Sequence, residues 1–207
     1  MKIRQANQGD AKTLGTLIFS SAPVTIAAIF DISDELSAVN FLQTSLSCAA
    51  GQYGYDNHWV AEVDNLVVGC LSQWHSDLPD TFHQATLTKL TEFYGIAHAL
   101  SIVQASKALQ DCIPKPKKHE WCIGNFAVLA QYQRQGVATA LLKFAQKQAL
   151  DSGKFFLSLD VESSNSPAID FYLGQGFVQK YKSKISPRMQ ALGIGRHLHL
   201  SKYTHPL

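Results

Sequence analysis

The chain has 207 residues, 46% of them hydrophobic, and a formal net charge of +2. That length suits one ordinary domain (1–207) with a sizeable core and no need of disulfide staples. A near-neutral balance without a basic stripe speaks against a nucleic-acid partner, and no apolar run reaches the length of a membrane span.

The opening MKIRQANQGD lacks the apolar stretch of a secretory signal. Residues 2–6 read as a short strand, and Leu14, Leu17 and Ile18 put one apolar face on a helix over 10–19. Ser33, Asp34 and Glu35 read as a helix start, with Leu36, Val39, Leu42 and Leu46 on one face of a segment running to about residue 50. HWVAEV and LVVGCLSQW form a hairpin pattern around the turn pair Asp64-Asn65. Residues 79–112 predict two short helices broken near Gly95. A strand follows over 120–129, a helix over 134–150, the strand FFLSLDV, a helix over 165–175, and strands at GFVQKYKSK and 196–202. The basic stretch Lys115, Lys117, Lys118 and His119, interrupted by Pro114 and Pro116, reads as a solvated loop. This order describes a mixed α/β fold around one sheet.

Cys48, Cys70, Cys112 and Cys122 are scattered without a CxxC pair. They read as reduced, space-filling thiols of a cytoplasmic protein. His197 and His199 alternate on a strand-like run, which lacks the ligand number of a metal site and reads as a solvated face.

Two segments carry chemistry. The first is Gln133-Arg134-Gln135-Gly136-Val137-Ala138, between the strand IGNFAVL and an amphipathic helix. A helix start leaves backbone N–H groups unpaired and carries partial positive charge. Gly136 lets that backbone approach an anion closely, Ala138 keeps the next turn slim, and Arg134 can add a charged contact. By itself such a turn is also an ordinary strand–helix connection. The second segment runs from Leu159 and Val161 through Asn165, Ala168, Phe171 and Tyr172 to Gly176-Phe177. Asn165 can cap a helix, Pro167 is tolerated in its first turn, and Gly176 can end it left-handed. Read alone, this is a capped, buried helix whose Tyr packs.

Together the two segments resemble the GNAT superfamily of N-acetyltransferases. Its Q/R-x-x-G-x-G/A loop is met by Gln133, Gly136 and Ala138. Its N-x-x-A-x-x-F-Y-x-x-x-G-F block is met by Asn165, Ala168, Phe171, Tyr172, Gly176 and Phe177. The resemblance implies a single mixed central β-sheet flanked by helices, here with a helical insertion at about 79–112. It implies acetyl-CoA as acyl donor, held through its pyrophosphate by Gln133, Arg134, Gln135, Gly136, Val137, Ala138 and Thr139. Phe126, Ala127 and Val128 would offer backbone groups to pantetheine beside a bulge at Gly124-Asn125, Asn165 would belong to the same site, and no metal is called for. Tyr172 would protonate the departing sulfur. The acceptor would be an amine of a small molecule, an amino acid or a peptide.

An alkylamine must lose a proton before it attacks, at a cost of about 4–5 kcal/mol at neutral pH. Glu120, at the entry of the strand that would carry the thioester, is the leading base candidate, with a strand-edge surface charge as the plain alternative. Asp160, Glu162 and His119 are weaker candidates. A non-catalytic acyl-CoA sensor would share the anion cradle but has no use for a positioned acid at Tyr172. The 79–112 segment reads either as a lid over the acceptor or as extra packing or a homodimer surface.

Overall fold

The computed structural model describes residues 1–110 and 112–205. Its centre is one seven-stranded sheet: β1 (Lys2–Gln5), β2 (His58–Val63), β3 (Leu66–Trp74), β4 (Glu120–Val128), β5 (Phe156–Glu162), β6 (Val178–Lys182) and β7 (His197–Tyr203), in spatial order β1-β2-β3-β4-β5-β7-β6. Only β4 and β5 run parallel; every other neighbouring pair is antiparallel. The β2–β3 turn is the expected pair, with Asp64 at φ 50° and Asn65 at φ 64°. Positive φ at both central residues gives the turn a twist that matches its strands.

Helices cover both faces. On one lie α1 (Ala11–Ser21), α2 (Pro23–Phe30), α3 (Ala38–Ser45) and α4 (Asp80–Leu109). Leu14, Leu17 and Ile18 of α1 and Phe41 and Leu42 of α3 bury there against Val60 and Cys70 of the sheet. On the other lie α5 (Val137–Asp151) and α6 (Ser166–Gly174). Leu141, Leu142, Ala145 and Tyr172 pack there on Leu71, Ile123, Leu157, Leu159 and Leu200. Burial of each such leucine contributes about 1.5–3 kcal/mol. A short helix, α7 (Pro187–Ala191), seats Met189 beside Cys112 and Ile194.

Several boundaries depart from the sequence reading. α3 starts after Ser37, whose hydroxyl accepts from the Asn40 N–H. Ser33 instead accepts from Leu36 in the preceding turn, so the helix begins later than residue 33 and ends at Ser45. α2 and α7 had no sequence signal. Within the expected insertion, Asp80–Leu109 is one helical element broken where expected, Gly95 standing at φ 73°, ψ 165°. It is part of the packed layer: Leu90, Tyr94, Ala99 and Ile102 are buried, and the Tyr94 hydroxyl donates to the Phe30 carbonyl at 2.9 Å. Among the described residues no single helix is long and apolar enough to cross a membrane.

Candidate active site

The two parallel strands part company early. β4 and β5 are in register only from Glu120 to Cys122 and from Phe156 to Ser158. Beyond that point the β5-facing edge of β4 has no strand partner among the described residues. The cause is local to β4. Between the pairs Cys70–Ala127 and Ser72–Gly124, β3 has one residue and β4 has two, Asn125 and Phe126. This is a β-bulge, which bends its strand and disrupts the ladder. Asn125 sits at φ 45°, and its amide donates to Ser72 Oγ at 3.0 Å. Gly124 is required there because the Trp74 indole lies against it, in the space a Cβ would take.

The bulge also changes which side chains face which layer. Before it, Trp121 and Ile123 pack toward α5; after it, Phe126 and Val128 do, while Ala127 and Leu129 turn toward α1. Phe126, Ala127 and Val128 are all half-buried, as residues lining an open cleft are.

At the end of β4 the chain makes a turn into α5. Gln133 Nε2 donates to the Val128 carbonyl at 3.2 Å and Gln135 Nε2 to the Gln131 carbonyl at 2.7 Å, so both side chains hold the turn itself. Arg134 takes φ 59°, and its guanidinium makes no ion pair or hydrogen bond among the described residues. α5 begins at Val137, not at Arg134, with Gly136 as its left-handed N-cap at φ 84°. No side chain caps this end, and its first turn holds no acidic residue. The N–H groups of Gly136, Val137, Ala138 and Thr139 find no acceptor among the described residues. A Cβ on Gly136 would meet nothing within 4 Å, so the approach is open. Four unpaired donors, a positive helix end and an unpartnered Arg form an anion site.

α6 opens with Asn165 as N-cap, its Oδ1 accepting from the Ala168 N–H at 3.3 Å. It ends at Gly174, and Gly176 follows at φ 84°. Tyr172 is buried among Phe126, Phe171 and Phe177, with ring centroids 6.1, 5.4 and 5.7 Å away. Its hydroxyl bonds to no described residue. Burial pushes the phenol's pKa up, so it stays protonated and able to donate.

On the opposite face of β4, Glu120 is buried. Its Oε2 accepts from the Lys117 N–H at 2.8 Å. Its Oε1 lies 3.8 Å from Lys117 Nζ and 3.6 Å from His199 Nε2. His199 is not on a solvated face. Pairing of β5 with β7 sets Asp160 opposite His199 and Glu162 opposite His197; both histidines are buried, at 3% and 5% exposure. The expected solvated face is instead covered, because β5 and β6 flank β7 and the Tyr181 ring lies on His199. A usable signal existed: Ser158, Asp160 and Glu162 alternate along one strand as His197, His199 and Ser201 do along another. His119 stays exposed and stacks on Phe155 at 5.1 Å. Cys122 Sγ lies 3.0 Å from Ser158 Oγ; burial raises its thiol pKa to about 12, which keeps it protonated.

The family comparison settles what this architecture belongs to. The Acetyltransferase (GNAT) family model matches residues 27–177. The chain belongs to the GNAT acetyltransferase family. It is therefore an acyltransferase, and GNAT enzymes draw their acetyl group from acetyl-CoA. An N-acetyltransferase from Staphylococcus aureus Mu50 shares the fold at TM-score 0.64, with 19% identity over 98% of this chain and 100% of that one. A ribosomal-protein-alanine N-acetyltransferase from Brucella melitensis aligns at TM-score 0.56 and 17% identity, covering 98% and 99%. The yncA protein of Salmonella typhimurium, solved with its cofactor acetyl-CoA, aligns at TM-score 0.56 and 15% identity, covering 100% and 95%. No curated protein matches the chain. Among the described residues of this GNAT chain, no group of three or more His, Cys, Asp or Glu is arranged to hold a metal ion.

Proposed function

We propose that the chain moves an acetyl group from acetyl-CoA to a primary amine of a small molecule, an amino acid or a peptide, by direct attack of the amine. The observation that carries this reading is the row of unpaired N–H groups at the start of α5, lying at the mouth of the β4–β5 splay. Acetyl-CoA bound there supplies an activated acyl thioester and a thiolate leaving group.

The chain's residues then divide the work. The N–H groups of Gly136, Val137, Ala138 and Thr139 take the pyrophosphate charge, and Arg134 adds a cation; Gln133 and Gln135 brace the turn that aims them. Phe126, Ala127 and Val128 form the stretch of β4 that β5 leaves unpaired, so backbone groups there, other than the Val128 carbonyl that Gln133 holds, can satisfy the polar arm of the donor. Asn165 caps α6 and so holds Tyr172 in place. The Tyr172 hydroxyl gives its proton to the sulfur as it departs, an interaction made only as charge develops. Glu120 Oε1, the oxygen that Lys117's N–H leaves free, receives the proton the amine must lose. We read residues 1–207 as one domain of this kind, working in the cytoplasm.

The test is a panel of primary amines (amino acids, polyamines, aminosugars and peptides with free N-termini, including one that begins with alanine), each incubated with acetyl-CoA and read out by release of free CoA thiol. At least one amine should give thiol release above donor hydrolysis, with the acetylated product seen by mass spectrometry. Thiol release at the hydrolysis rate with every class would contradict the proposal.

A further inference from the structure

Glu120 has a problem of place. It stands four residues before Gly124, and at about 3.3 Å per residue that is roughly 13 Å along β4 from the bulge. The strand register shows what spans the gap. Cys122 pairs with Ser158, so two residues on, Asp160 is level with Gly124 across the splay. Its side chain is 7% exposed. Asp160 Oδ1 meets His199 Nδ1 at 3.0 Å, and no described residue donates to its Oδ2. Beyond the imidazole, His199 Nε2 is buried without a hydrogen-bond partner among the described residues, 3.6 Å from Glu120 Oε1. Tyr181 stacks flat on the ring, centroids 4.8 Å apart and planes 9° apart, fixing its orientation. Asp160, His199 and Glu120 thus form a line from the cleft into the protein.

We propose that these three residues are a proton relay: Asp160 faces the acceptor amine, and His199 is a positioning residue that carries the proton inward to Glu120. Asp160 Oδ2 takes the proton as the ammonium N–H bond breaks. With neutral His199 protonated on Nε2, rotation of the protonated Asp160 carboxyl brings its O–H to the unprotonated Nδ1. Nδ1 takes that proton while the Nε2 proton leaves for Glu120 Oε1, so each bond broken is matched by one formed and the imidazole ends neutral, now protonated on Nδ1. The relay rests on the acetyl-transfer reading above and gives Glu120 its route to the amine. It also explains a buried, orphaned nitrogen that otherwise costs stability.

The charged and titratable groups facing His199 are Asp160 on β5, Glu120 and Cys122 on β4, Lys117 before β4, Tyr181 on β6 and His197 on its own strand. Burial pushes the imidazole pKa down. The Asp160 hydrogen bond and the charges of Asp160 and Glu120 outweigh burial and the opposing Lys117, and the net shift is upward. The relay turns over from neutral His199, so kcat/KM should rise with pH through an ionisation above the ordinary imidazole value of about 6.5.

The experiment pairs the kcat/KM–pH profile, measured with acetyl-CoA and the amine turned over fastest in the panel, with NMR titration of the His199 ring. In the wild type the two midpoints should coincide. Glu120→Gln and Asp160→Asn should each lower the midpoint of His199, because each removes a charge that favours the imidazolium, and should cut kcat/KM about 10-fold or more. His199→Gln keeps both carboxylates and should abolish the acidic limb, with activity partly restored at high pH. An unmoved His199 midpoint in Glu120→Gln, or an unchanged acidic limb in His199→Gln, would overturn the relay. If Glu120→Gln loses the limb while His199→Gln keeps it, the relay alone fails and Glu120 remains the base. If both variants match the wild-type profile, Glu120 falls as base together with the relay. Should Asp160→Asn not fold, the wild-type coincidence and the other two variants still decide.

Discussion

Gly136 offers a perturbation whose backbone and charge effects can be separated. The residue stands at φ 84°, ψ −1°, left-handed, with nothing within 4 Å of an added Cβ. Gly136→Ala therefore creates no clash and costs only the left-handed penalty, about 1–2 kcal/mol of stability. Gly136→Asp incurs a similar or smaller backbone cost, because a short polar side chain tolerates this region better. What the aspartate adds is one negative charge beside four unpaired N–H groups. Opposed to a single phosphate charge at about 5 Å, it costs about 0.8 kcal/mol at the dielectric of water and about 3 kcal/mol at an effective value of 20. That range corresponds to roughly a 4-fold to 200-fold weaker CoA complex. The assays are isothermal titration with CoA and urea unfolding on the same preparations. Gly136→Ala should lose stability and keep its CoA affinity within a few-fold; Gly136→Asp should lose affinity well beyond that. Equal CoA affinities for the two variants would refute the claim that the start of α5 is the anion site.

Two further outcomes follow from the same structure. Acetyl-CoA at about 100 times its dissociation constant should add about 2.7 kcal/mol, a rise in melting temperature of roughly 5–10 °C for a chain of this size, and an unchanged melting curve would contradict the cofactor assignment. Asp10 accepts from Arg4 at 2.7 and 2.9 Å and from the Asn7 N–H at 2.8 Å; burial alone would raise its pKa, but the Arg4 hydrogen bonds prevail and the net shift is downward. That contribution is present above the unfolded value of 3.8 and is lost as pH falls through the lower folded value. Asp10→Asn should then cost about 1.5–3 kcal/mol at pH 7 by urea unfolding, and the difference from wild type should vanish in strong acid.

How much of this was legible in the sequence depends on how local each cause is. The β2–β3 turn, the Gly95 break, the Asn165 cap and the Gly176 terminator are each dictated by one or two residues with special backbone freedom or capping oxygens, and all are readable; the Gly136 cap is not, since a sequence pattern starting at Arg134 does not show the left-handed residue that delays the helix to Val137. α2 is not either: PVTIAAIF has no polar face to give it a period, since Thr25, Ile29 and Phe30 bury, Ile26, Ala27 and Ala28 are half-buried, and the exposed positions are the apolar Pro23 and Val24. The start of α3 was misplaced because two serines, Ser33 and Ser37, both cap N–H groups, and only Ser37 is followed by continuing helix. The bulge was suspected from Gly124-Asn125, yet its consequence, the reversal of which β4 side chains face α5, needs the register with β3. The burial of His199 left only an indirect trace, the matching polar alternation of Ser158, Asp160 and Glu162 with His197, His199 and Ser201, because the burial itself depends on β7 inserting between β5 and β6, a pairing that joins segments distant in sequence.

The claim at the centre of this account is that the chain is a catalyst whose Tyr172 serves the departing sulfur. The most direct test is kcat and CoA affinity measured side by side for the wild type and Tyr172→Phe, using an amine that the panel shows to be turned over. The ring is kept, so its packing against Phe126, Phe171 and Phe177 should survive. The account predicts a fall in kcat of about 100-fold or more, an equal fall in kcat/KM, and a CoA dissociation constant within about 2-fold of wild type. A Tyr172→Phe enzyme with wild-type kcat, or one whose only loss is CoA affinity, would contradict it.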